Sequence, residues 1–83
     1  MPLIVVEYLY DPPLTDERLK AEGEKVGPCL EVYGVRWVET FLSNDRRRRA
    51  CIFEATDAEK VRSAFHSAGV KFERAWRADR LAP

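Results

Sequence analysis

The sequence predicts an α+β domain of four strands and two helices, in the order strand, helix, strand, strand, helix, strand. Three observations carry this. Four segments are aliphatic or alternate apolar with polar residues, two segments repeat apolar residues at helical spacing behind good capping residues, and almost none of the 83 residues is left over. No repeat, linker or low-complexity stretch divides the chain, so residues 1–83 read as one domain with a short tail at 78–83.

Leu3 to Tyr10 opens the domain as a run of Leu, Ile, Val and Tyr broken by one charge, Glu7, which is how a central strand reads. Asp11-Pro12-Pro13 ends it, because neither proline can donate to a strand ladder. Thr15 is an N-cap with Asp16 and Glu17 in the first turn, and Leu19, Val26, Leu30 and Tyr33 make the apolar stripe of the first helix. Gly27-Pro28 predicts a kink, and Gly34 a C-cap. Val35 to Ser43 alternates and carries Trp37 and Phe41. Ser43-Asn44-Asp45 is turn chemistry, so this strand and Arg49 to Ala55 form a hairpin. Thr56-Asp57-Ala58-Glu59 has the spacing of a capping box. The second helix behind it presents Val61, Ala64, Phe65 and Ala68 before Gly69, and Val70 to Arg77 is the last strand.

Two strand-helix-strand units with right-handed crossovers give a ferredoxin-like βαββαβ sandwich, an antiparallel sheet with the first and third strands central and both helices on one face. The other face is then open. Alternation places Ile4, Val6, Tyr8, Val38, Leu42, Cys51 and Phe53 beneath the helices. It leaves Val5, Glu7, Trp37, Glu39, Phe41, Ile52, Glu54, Phe72, Arg74 and Trp76 on the open face. Large aromatics in such numbers are ordinarily covered, and a two-fold partner laying the same face against this one would cover them and enclose the carboxylates. A homodimer is expected, of the dimeric α/β-barrel kind.

Charge and composition narrow the function. Fourteen Lys plus Arg balance fourteen Asp plus Glu, so no global field draws the chain to nucleic acid or an anionic membrane. The aliphatic run from Leu3 stops at Glu7, short of a signal core or a membrane span, which points to the cytoplasm. Cys29 and Cys51 lack C-x-x-C spacing and read as buried thiols, and His66 reads as a helix-surface residue. Arg46 to Arg49 reads as a solvated hairpin tip. No nucleophile elbow and no phosphate-cradling glycine loop is present.

Glu7, Leu14-Thr15, Gly34-Val35-Arg36-Trp37, Phe41, Ser43-Asn44-Asp45, Cys51-Ile52-Phe53-Glu54-Ala55, Asp57-Ala58 and Ala68-Gly69 together resemble the nickel-binding-protein-like family of small ferredoxin-like domains. The resemblance covers nearly the whole chain. It implies the fold, a dimer and, through the members described as nickel binders, a divalent metal such as nickel. Family members often carry a histidine in the second helix where this chain has Ala64. Its sole histidine, His66, lies about 200° further around the helix.

The leading expectation is a small dimeric binding protein whose ligand pocket on the open face comprises Glu7, Trp37, Glu39, Phe41, Glu54, Arg74 and Trp76, with Glu7 and Glu54 as metal ligands. The ligand is a divalent metal such as nickel, or a small molecule. Two alternatives stand beside it: a cofactor-free dimeric α/β-barrel enzyme, monooxygenase- or isomerase-like, acting on a small aromatic substrate, and a structural dimer without a site.

Overall fold

The computed structural model describes residues 1–83. Its elements are β1 (Leu3–Leu9), α1 (Asp16–Val32), β2 (Arg36–Leu42), β3 (Arg48–Glu54), α2 (Ala58–Ala68) and β4 (Arg74–Ala78). The strands form one antiparallel sheet in the order β2-β3-β1-β4, so β1 and β3 are central and each helix crosses over between parallel, non-adjacent strands. This is the ferredoxin-like α+β arrangement.

Helix boundaries follow from side-chain caps. The Thr15 hydroxyl accepts from the Arg18 N–H at 3.1 Å, and the Asp57 carboxylate accepts from the Lys60 N–H at 2.9 Å. The second cap is thus Asp57 and not Thr56 as the capping-box spacing suggests; a carboxylate also suits the positive end of the helix dipole. Both helices end alike. Gly34 and Gly69 take φ of 67° and 69°, and the following N–H groups of Val35 and Val70 reach back to Leu30 and Phe65 carbonyls at 2.8 and 3.1 Å. Pro28 has no N–H to offer, yet α1 continues past it to Val32 as one element.

Ile4, Val6, Tyr8, Cys51 and Phe53 are buried beneath the helices as alternation predicts, against Val26 of α1 and Val61, Ala64 and Phe65 of α2. Phe65 is the hub, its ring within 6 Å of Tyr8, Phe53 and Phe72, at 5.9, 5.9 and 5.5 Å between centroids. Burying such a side chain contributes about 3 kcal/mol before the ring contacts are added.

Two residues depart from the alternation. Between Trp37 and Glu39 the β2–β3 register shifts by one, so Trp37 lies opposite Phe53 while Glu39 lies opposite Ile52. Residues directly opposite in an antiparallel pair share a face, and this β-bulge therefore moves Trp37 to the helix side of the sheet. Phe72 is likewise not on the open face: residues 70–73 precede β4, which starts only at Arg74, and Phe72 packs on Phe65 and His66.

Candidate functional site

The open face is a ladder of three rows. One reads Phe41, Ala50, Glu7, Arg74 across the sheet, the next Glu39, Ile52, Val5, Trp76, and the third Arg36, Glu54, Leu3, Ala78. Beyond the first row lie Arg48 and Leu9, opposite one another. Phe41 and Leu9 are about 60% exposed and Trp76 44%, on a face that nothing in the chain covers. A shallow hollow of about 480 Å³ opens there, lined by Glu7, Leu9, Phe41, Arg48, Ala50 and Arg74 among others.

Six of the seven expected pocket residues share this face, five of them as two polar clusters and one lone carboxylate, with Phe41 exposed beside them. Glu7 Oε2 accepts from the Trp76 indole N–H at 2.8 Å and stands 3.7 Å from Arg74 Nε. Glu54 pairs with Arg36 at 2.8 Å. Glu39 has no ion-pair partner within 4 Å. Trp37 is the seventh and belongs to the opposite side.

The donor set does not fit a metal ion. Glu7 lies opposite Ala50 and Glu54 opposite Leu3, which separates them by four residues of ladder, about 13 Å, whereas a bound ion sits roughly 2 Å from each ligand. No three or more His, Cys, Asp or Glu side chains converge on one point. His66 stacks on Phe72 at 6.0 Å, Cys29 is half-buried, and Cys51 is buried with its sulfur 3.1 Å from Thr40 Oγ1. Both cysteines are free thiols.

A polar cluster on the helix side was missed by the reading of the arginine run as a solvated tip. Arg46 and Arg47 do stay at the tip, paired with Asp16 and Asp11. Arg49 instead turns inward opposite Tyr8, with only 12% of its side chain exposed. Its guanidinium lies 4.5 Å over the Tyr8 ring and bonds the Tyr10 hydroxyl at 3.1 Å and Glu22 Oε1 at 3.2 Å. Tyr10 donates to the same Glu22 oxygen at 3.0 Å, and Arg18 holds the other at 3.0 Å. Burial pushes the Tyr8 hydroxyl far up, with the nearby Cys51 adding to it. Burial likewise raises Tyr10, against the pull of Arg49. For Arg49 itself burial acts to lower the pKa, but the surrounding Cys51, Tyr10 and Tyr8 outweigh it and the net direction is up. Strand alternation across from Tyr8 was the one signal for this inward turn, and it needs the register to be read.

Comparison with known proteins agrees with the fold. The family described as nickel responsive protein SCO4226-like matches residues 4–77. The chain belongs to that family. The crystal structure of SCO4226 from Streptomyces coelicolor A3(2) superposes with a TM-score of 0.82 over 96% of this chain and 99% of that one, at 15% sequence identity. That likeness shows the SCO4226-like fold alone. No curated protein matches the chain. No helix is long and apolar enough to cross a membrane.

Proposed function

We propose that this SCO4226-like chain is a homodimeric binding protein that joins two copies through the open sheet face and holds a small organic molecule between them. The observation that carries the reading is the uncovered field of Phe41, Leu9 and Trp76 around the half-buried Val5, Ala50 and Ile52. Exposed apolar area of this extent on a small domain marks an interface. Charge argues for a second copy over a different partner. Glu7, Glu39 and Glu54 are matched on the same face by Arg36, Arg48 and Arg74, so the face is neutral and complementary to itself under a two-fold axis. The hollow beside Phe41 would then be closed from above, giving a chamber with Glu7, Arg48, Glu73 and Arg74 among its polar groups.

One chain by itself assembles no set of donors for nickel, which the family's description names. Responsiveness to nickel would require ligands brought together from two copies.

Native mass spectrometry of untagged protein tests the proposal. The expected spectrum is a dimer, with a retained small molecule in the protein as isolated. The double substitution F41E/W76E, at two exposed positions, is expected to give a folded monomer by mass and circular dichroism. A wild-type monomer at about 50 μM, where even a weak dimer of micromolar Kd is formed, overturns the reading.

A further inference from the structure

We infer that the space between α1 and the β2–β3 half of the sheet is a second binding site, on the helix side, for a planar aromatic molecule carrying one carboxylate. It encloses about 460 Å³ and is distinct from the open-face hollow. That volume lies within the range of small-molecule pockets, roughly 300–1,000 Å³. Its walls are apolar where α1 and the core meet it, from Leu19, Val26 and Leu30 on one side to Phe53 and Phe65 on the other. The β-bulge supplies the remaining wall. It brings Trp37 to this side, and the indole N–H donates to Thr40 Oγ1 at 2.8 Å, which fixes an aromatic ring at the mouth. A flat apolar body fits between that ring and the aliphatic stripe of α1.

The polar end is equally specific. Arg49 lines the cavity, and its Nε is buried with no hydrogen-bond partner. Buried donors are nearly always satisfied, so a guanidinium left with one unpaired nitrogen beside a cavity calls for an acceptor that a small turn of the side chain would meet. The nearest carboxylate, Glu22, has no oxygen to spare. Both Glu22 oxygens are already engaged by Tyr10, Arg49 and Arg18, and two arginines against one carboxylate leave the cluster one positive charge in excess. A single carboxylate on the ligand matches both the free donor and the excess charge.

The helix itself keeps the space open. Gly23 and Gly27 both line the cavity, one turn apart on the same face of α1, and a Cβ at either would touch nothing within 4 Å. Gly27 has a local reason, since a side chain before Pro28 would crowd the proline ring. Gly23 has none: its backbone is helical and its surroundings are empty, and glycine in a helix interior is unfavourable. A side chain there would intrude on the mouth of the cavity.

The experiment is a titration of ¹⁵N-labelled protein with naphthoate, with naphthylmethanol as the uncharged control, following three side-chain resonances. Naphthoate is expected to move the Trp37 indole and Arg49 Nε–H signals saturably with Kd below about 1 mM, and to bind about tenfold more tightly than the alcohol. The Trp76 indole, on the open face, should stay still. Gly23→Ala is expected to raise Tm by roughly 4 °C, and Gly23→Leu to weaken naphthoate binding about tenfold in a protein that still folds. The inference is overturned if Trp76 alone responds, if no signal saturates, or if G23L binds as the wild type does. None of these outcomes depends on whether the chain dimerises.

Discussion

At Arg49 a cation, two phenols and a carboxylate share a volume that the rest of the core fills with hydrocarbon. The phenols are what pH acts on. Tyr8 has a hydroxyl pKa raised by burial above its unfolded value near 10, so the folded state keeps a proton that the unfolded chain gives up. The contribution to stability is complete below about pH 10 and is lost as pH rises above it, by up to about 1.4 kcal/mol per pH unit for each such group. Urea unfolding between about pH 9 and 11 should show this fall, and Tyr8→Phe should flatten it. An unchanged slope in the variant would mean that Tyr8 is not the group responsible. Phe65 makes the corresponding claim for packing. With three aromatic neighbours and 1% exposure, Phe65→Ala is expected to destabilise by about 3–5 kcal/mol, read from the urea midpoint.

Among the elements, caps and strands differ in how far they could be read. All six elements and their order were legible, because period-two and period-3.6 patterns, with Thr15, Gly34 and Gly69 as punctuation, are properties of neighbouring residues. The cap of α2 was misplaced by one residue, since Thr56 and Asp57 are both good caps and only the bond to the Lys60 N–H chooses between them. Asp57→Ala should therefore lower stability by about 1 kcal/mol while Thr56→Ala leaves it nearly unchanged, a difference that thermal unfolding resolves. The candidate site was less legible for a different reason. Whether Glu7 and Glu54 meet depends on the register of β1 against β3, and which of four successive arginines turns inward depends on what lies across the ladder. A bulge adds a further obstacle. One extra residue at position 38 reverses the facing of Trp37, and no residue in Arg36-Trp37-Val38-Glu39 is of a type that announces it.

For the whole molecule, one sheet with helices on a single face divides the surface into a sealed side and an open side. If the open side is sealed by a second copy, folding and association are coupled, and Tm rises with protein concentration. Scanning calorimetry over a hundredfold range of concentration should show that rise for the wild type and not for F41E/W76E. A concentration-independent Tm in both would count against the dimer.

The bulge has one more consequence, for what the sheet does not do. β2 is an edge strand, and its outer backbone groups are free to template a strand from another molecule. The irregularity at Trp37–Glu39 breaks the even spacing that such a strand would need, and at the opposite edge β4 offers only five residues, two of them arginines. Both rims are thereby blunted against growth into a continuous sheet, which disfavours edge-to-edge fibres of this chain.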